Sequence, residues 1–290
     1  MGREISSDAG IIRQVIGFCR SGSSSSRYYE AMNSALYQID DQYTMLHYPL
    51  HMEADESFRK AQENLTRHCL SFIEPLEGKT ILEIGCGNGV QTKFIAQNYN
   101  PGYITGIDLN RRNILIANRE KERRKIGNSF FLVDDAQKLR KIADNSFQVV
   151  VNIESAFHYP DKQAFLSEIY RVLEPGGRFI IADIIRNRKL TDGKSGHWTR
   201  NMGLNHWTAD QYGEGLAKAG LKVDEVDNIT EHIIKGYRNY RSYFRHMKKK
   251  GLISTVFFRL FYLVNVKLNI RLLEKHRQYI IYSGSKPAEI

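Results

Sequence analysis

Cysteine is scarce in this chain. Its 290 residues hold three, Cys19, Cys69 and Cys86. An odd, sparse set excludes a disulfide-stapled scaffold and suits a reducing compartment. Long apolar runs are missing as well. A membrane-spanning helix needs about 20 consecutive apolar residues. The greasiest segment, Leu252–Leu273, is unbroken only over Leu260–Val264. The opening MGREISSDAGIIRQVIGFCR has a short apolar run and no cleavage-like site, so it does not read as a secretory leader. These absences lead us to expect a cytoplasmic protein without stable transmembrane insertion, with peripheral membrane contact left open. No metal-ligand set emerges either. His47 and His51 are four apart, but Pro49 between them bars a helical ligand pair.

What is present in excess is positive charge. The formal net charge is +10, which invites a nucleic acid, an anionic membrane or an acidic ligand. Basic residues gather at Arg111–Lys125 and again at Arg238–Lys250. The first cluster is interleaved with Glu120 and Glu122 and reads as the solvated face of a helix.

The chain divides by pattern. Residues 1–26 form a flexible lead ending in the joint SGSSSS. Residues 27–75 read as a helical lid: helices over 27–42 and 55–73 flank the aromatic loop YTMLHYPLHM at Tyr43–Met52. Residues 76–229 show short apolar strands alternating with helices, as in VVVNI, which predicts a mostly parallel sheet covered on both faces. Glu174–Gly177 reads as a tight turn before a strand over Arg178–Ile184. Thr208-x-x-Gln211 is a capping box that opens a helix. Residues 230–275 form a helical insertion or cap, and residues 276–290 hold the last strand and tail. In the insertion Ile253, Phe257, Leu260, Val264 and Leu268 make an apolar stripe opposite Arg259, Lys267 and Arg271. That cap either packs on the domain, lines an apolar cavity or touches lipid.

The chemistry concentrates in ILEIGCGNG, Ile81–Gly89. An apolar strand runs through an acid into a glycine turn and then a helix. Gly85, Gly87 and Gly89 alternate, and the sixth position is Val90, whereas a dinucleotide fingerprint wants glycine at the first, third and sixth positions. Glu83 would repel a pyrophosphate and would suit a cofactor carrying positive charge. Cys86 reads as a small residue that fits the turn.

With TGIDLN at Thr105–Asn110 and YRVLEPGGRFIIAD at Tyr170–Asp183, this stretch makes the chain resemble the class I S-adenosylmethionine-dependent methyltransferases. It is most similar to the branch acting on sterols, tocopherols, polyketides and phthiotriol-type lipids. The likeness covers about Leu65–Gly220 well and the final strand more weakly. It implies a Rossmann-like α/β fold: a seven-stranded, mostly parallel sheet with an antiparallel last strand, helices on both faces, an N-terminal helical lid and a helical insertion before the last strand. It implies S-adenosyl-L-methionine as cofactor. The glycine turn, Gly85, Cys86, Gly87 and Gly89, would let backbone approach the ligand. Glu83, Gln91 and Asn152 would lie near the methionine moiety. Asp108 would meet the ribose hydroxyls as a charge-assisted pair, with a helix N-cap as its structural alternative. Leu109 would flank the adenine, and Asp135-Ala136 would meet the adenine edge, with Asp134 a competitor for that place.

The acceptor is expected beyond the carboxyl ends of the fourth and fifth strands, where ligands sit in open α/β sheets. His158 is the first candidate for general base, with Asp183 and His206 as further catalytic candidates. Alternation places Asn152 and Glu154 on one side of their strand. No acidic grouping matches the magnesium triad of catechol-type methyltransferases. Tyr28, Tyr29, Tyr237, Tyr240, Tyr243 and Phe244 offer aromatic lid surface, with Arg238, Arg241 and Arg245 near it. The expected activity is methyl transfer to a small hydrophobic or amphiphilic acceptor, at oxygen. Carbon methylation of an isoprenoid, polyketide or sterol-like acceptor is the alternative. RNA methylation is a further one, opposed by NIES in place of the NPPY type and by the absence of an RNA-binding module. A nucleic-acid partner is therefore not expected, and the chain is read as a monomer or homodimer.

Overall fold

The computed structural model describes residues 29–30, 33, 37, 42–53, 56–187, 203–238 and 267–288. Tyr29, Glu30, Asn33 and Tyr37 are helical. The core then runs α1 (Phe58–Ser71), β1 (Thr80–Ile84), α2 (Val90–Asn98), β2 (Tyr103–Asp108), α3 (Arg111–Arg124), β3 (Ser129–Val133) and β4 (Phe147–Ile153). It continues with α4 (Lys162–Val172), β5 (Leu173–Arg186), α5 (Ala209–Lys218), β6 (Lys222–Asn228), α6 (Thr230–Arg238) and β7 (Arg277–Ser285). A short 3-10 turn, Ala156–His158, follows β4, and residues 267–275 are helical.

The seven strands form one sheet in the order β3-β2-β1-β4-β5-β7-β6. Neighbours from β3 to β5 are parallel, and β7 is antiparallel to both β5 and β6. This is the mostly parallel sheet with an antiparallel last strand that the sequence predicts. Strand order reverses between β1 and β4, so a crevice opens at their carboxyl ends.

Alternation sorts the strands' side chains into two layers. Ile81, Val149, Val151, Ile180, Ala182, Tyr279 and Ile281 face Leu65, Leu70, Phe94 and Ile95 of α1 and α2. Leu82, Ile84, Val150, Phe179, Ile181 and Tyr282 face Phe165, Leu166, Ile169 and Leu216 of α4 and α5. The edge strand β6 is mostly exposed and charged, which discourages pairing with another chain. Local capping chemistry sets the helix starts. Asp161 caps α4, and Thr208 with Gln211 forms the predicted capping box of α5.

One element differs from the sequence reading. Glu174–Gly177 lies within β5 rather than in a turn before it. Gly176 takes φ +77°, and the register against β4 shifts between Phe147 and Val149. Gly176 donates to the Lys286 carbonyl and Lys286 donates to that of Gly177, so the ladder continues through a bulge. The lead 1–26 and the apolar stripe from Ile253 to Val264 lie outside the described residues. Among the described residues no helix is long and apolar enough to cross a membrane.

Candidate active site

A cavity of about 350 Å³ lies at the carboxyl ends of β1 to β4. The glycine turn forms its floor. Gly85 takes φ +77°, and a Cβ there would lie 2.2 Å from Ser155 Oγ and 2.8 Å from the Tyr159 hydroxyl. Glycine is thus required for the approach of the loop after β4, in addition to any ligand. Gly89 takes φ +73°, and a Cβ would lie 2.6 Å from Ala117 and 2.7 Å from the Phe131 ring. Its role is helix packing at the start of α2, and it is not part of the cavity lining, which Gly85, Cys86 and Gly87 are. Cys86 packs with Ile114, Ala117 and Phe131. Burial pushes its thiol well above the usual range, so it is an inert filler.

The cavity lining includes Asp108, Leu109, Asp135, Ala136 and Gln91. Asp108 Oδ2 accepts from the Gly87 amide at 3.0 Å and Oδ1 from the Asn110 amide at 2.7 Å. Asn110, not Asp108, is the N-cap of α3. Asn113 Nδ2 donates a longer bond to Oδ1 at 3.4 Å; a carboxylate offers about four acceptor sites, so capacity remains on Oδ2 for a ligand hydroxyl. Burial raises its pKa, with the Asn110 and Gly87 amides pulling it back.

The structure separates the two neighbouring aspartates. Asp134 is buried and spends its oxygens on the amides of Asp135 and Lys141, bracing the loop. Asp135 is the more open of the two; it holds Gln137 through both the main-chain and side-chain nitrogens. Leu109 is 71% exposed at the rim. Gln91 is buried, and its Nε2 has no hydrogen-bond partner.

Glu83 and Asn152 were expected beside them, yet neither is part of the lining. Glu83 is buried with Oε2 unpartnered, and burial pushes its carboxyl up to about 8. Asn152 Nδ2 donates to the Ile84 carbonyl at 2.9 Å and to Ser155 Oγ at 2.6 Å. It fastens the loop after β4 to the end of β1.

The lining also includes His158, Tyr159, Ser155, Glu154, Met45 and Tyr29. Tyr29 is one of the helical residues before the core, and its hydroxyl lies 2.8 Å from His158 Nε2. Asn33 donates to Asn113 at 3.0 Å, and Glu30 pairs with Arg112 at 3.0 Å. Asn88 of the glycine turn donates to Asn33 Oδ1 and to the Thr44 carbonyl. The N-terminal segment therefore meets the loop after β4 at His158, the glycine turn at Asn88 and α3 at Arg112 and Asn113.

Glu154 corrects the alternation argument. It takes φ +53°, a conformation uncommon outside glycine and often found at functional sites. That twist breaks the period of two. Glu154 Oε1 accepts from the Tyr48 amide at 2.6 Å, on the Tyr279 side of the sheet. Asn152 instead faces Tyr159 on the opposite side. Burial pushes the Glu154 carboxyl up to about 8. The signal available in the sequence was its place at the end of a buried strand.

Asp183 and His206 are not brought into the cavity lining. Asp183 is wholly buried between Lys162, at 2.7 Å, and the Tyr212 hydroxyl, which donates a short bond to it. It also accepts from the Phe157 amide at 3.1 Å. Its carboxylate is thus consumed by a buried ion pair that anchors the residue before His158. His206 Nδ1 lies 2.7 Å from the Ile184 carbonyl, and burial lowers its pKa to about 3. Arg238, expected near the acceptor, pairs with Glu274 at the surface.

A sequence profile described as a methyltransferase domain matches residues 75–250, and the chain belongs to that family. It is 35% identical over 190 residues to the phthiotriol/phenolphthiotriol dimycocerosates methyltransferase of Mycobacterium tuberculosis. That match covers 66% of this chain and 62% of the relative, so the chain spans less than two thirds of that protein's length. An O-methyltransferase of Pyrenophora dematioidea is 33% identical over 200 residues, 68% of this chain and 72% of that one. In fold, a putative sarcosine dimethylglycine methyltransferase from Galdieria sulphuraria superposes with a TM-score of 0.77 at 15% identity, over 92% of this chain and 99% of that one.

Proposed function

We propose that this protein transfers the methyl group of S-adenosylmethionine to an oxygen of a small, largely apolar acceptor. The observation that carries the reading is one cavity whose lining combines cofactor-type residues after β1, β2 and β3 with an imidazole after β4. The residues present fit the cofactor. Asp108 Oδ2 has acceptor capacity for a ribose hydroxyl, and Leu109 and Asp135-Ala136 flank the place for the base. The orphaned Gln91 Nε2 at the start of α2 suits a carboxylate. Glu83, buried without a counter-charge, favours a cationic ligand nearby. When bound, the cofactor supplies an activated methyl on sulfur.

The chain's own residues do the rest. His158 faces the cavity with Tyr29 fixing its ring edge, and it takes the proton of an acceptor hydroxyl. Met45, Leu46 and Ile153 supply apolar wall. Together with Tyr29 they exclude water and hold the acceptor in line. The relative named for phthiotriol-type lipids supports an apolar acceptor.

Calorimetry tests the cofactor half. S-adenosylhomocysteine should bind and NAD should not, and Asp108→Ala should weaken binding by about 1.5–3 kcal/mol, the scale of a charged hydrogen bond. Failure of the wild-type protein to bind S-adenosylhomocysteine would falsify the reading. Transfer of an isotope-labelled methyl to a lipid extract, followed by NMR of the product, should show a methyl on oxygen. A methyl on carbon would overturn that assignment.

A further inference from the structure

Arg277 opens β7 and stands directly opposite Arg186 of β5. Cross-strand partners project on the same face, and like charges so placed are destabilising. This is the face of Ile184 and Tyr279, the pair two positions along that register. Both arginines are half-buried. Among the described residues the Arg277 side chain has no hydrogen bond or ion pair. Burial lowers its pKa from the ordinary arginine value, and Tyr48 is the group that pulls the other way. A desolvated guanidinium without a carboxylate is costly unless something else supplies the charge.

A second group points to the same place. His206 Nδ1 lies against the Ile184 carbonyl, so Nδ1 carries the proton and Nε2 is left as an acceptor. Nε2 is buried with no hydrogen-bond partner. Arg277 is among the cations that disfavour protonation of this ring. Only the Phe157 ring separates the place from the cavity, its centroid 5.7 Å from that of His206 and 4.5 Å from that of His158. On the other flank Tyr48, 6.2 Å from the Tyr279 ring, holds Glu154 of the cavity lining.

We propose that Arg277 is the seat of an anionic head of the acceptor, a carboxylate or phosphate, with His206 Nε2 accepting from a hydroxyl beside it. This inference rests on the methyltransferase reading and adds the substrate class: an amphiphile with a hydroxylated acidic head. Arg277 is outside the lining that holds His158, so the anion it seats is distinct from the oxygen that is methylated. A guanidinium on the attacking oxygen would hold its charge back in the ground state.

The probes are 2-hydroxydecanoate and decane-1,2-diol, which share chain and hydroxyl and differ in the carboxylate. Calorimetry on the full chain saturated with S-adenosylhomocysteine should show the acid binding about 10–100-fold tighter than the diol, as a charge-assisted pair implies. Arg277→Met should bring the two within about threefold, and Arg277→Lys should keep much of the preference, with cofactor affinity unchanged in both. Equal binding of acid and diol by the wild-type chain overturns the proposal, as does an undiminished preference in Arg277→Met. Inorganic phosphate binding as tightly as the long-chain acid overturns the assignment to an acceptor head. Should Arg277→Met fail to fold, the wild-type ratio and the lysine variant still decide. A wild-type chain that ignores S-adenosylhomocysteine sinks the methyltransferase reading instead, and the acid-to-diol ratio is still readable.

Discussion

Replacing Lys162 by methionine separates a positioning pair from a catalytic one. Lys162 and Asp183 are fully buried at 2.7 Å. The Lys162 ammonium also lies 3.3 Å from the Tyr212 hydroxyl and 5.2 Å from the centre of its ring. Lys162→Met preserves much of the volume and leaves the Asp183 carboxylate buried without its cation. Breaking a buried pair in this way costs about 3–5 kcal/mol. Three donors remain on Asp183, the Tyr212 hydroxyl and the amides of Phe157 and Ile184. They put the expected loss near the lower end, about 3 kcal/mol. Adding Asp183→Asn removes the stranded charge and keeps an acceptor for the Phe157 amide. The double variant should therefore regain about 2 kcal/mol of that loss. Urea unfolding with shared slopes measures both. A single variant within about 1 kcal/mol of wild type, or a double variant no more stable than the single, would refute the argument that this is a paired, buried charge.

Three further predictions follow from the site. His158→Ala should cut the transfer rate to a hydroxyl acceptor by about 10²–10⁴-fold with cofactor affinity intact, measured by initial rates alongside calorimetry; an unchanged rate removes His158 as base. Glu83 and Glu154 titrate near 8 when folded and near 4.3 unfolded, so the folded state holds protons that the unfolded state releases between those values. Stability is then fully present below the unfolded value and falls as pH rises toward 8, and Glu154→Gln should flatten part of that fall in urea titrations run from pH 5 to about 8. Gly85→Ala should lose about 2–4 kcal/mol, because its methyl meets Ser155 and the backbone is left-handed. Adding Ser155→Gly should restore part of that loss, and a single variant as stable as wild type shows that the loop after β4 gives way.

Much of this protein is written locally. The alternation of apolar strands with helices, the strand–glycine–helix passage at ILEIGCGNG and the Thr208–Gln211 box each depend on residues a few positions apart. Period and capping chemistry therefore reveal them before any tertiary contact is known. The places of Asp108 at the end of β2 and His158 just past β4, both in the cavity lining, were legible for the same reason, since strand ends set where a side chain emerges.

Pairings across the fold were not legible. Whether Asp183 meets an acceptor or a lysine depends on α4 and α5 packing over β5, which brings Lys162 and Tyr212 to it from 21 and 29 positions away. Tyr29 reaches His158 across 129 positions. Gly85 owes its missing side chain in part to Ser155 of another loop. The direction of Glu154 turns on one left-handed residue that breaks the strand's period. Sequence periodicity sorts side chains into faces. Only the packed structure decides which group on the facing element neutralises, orients or displaces them, because burial and charge pairing are properties of neighbours in space.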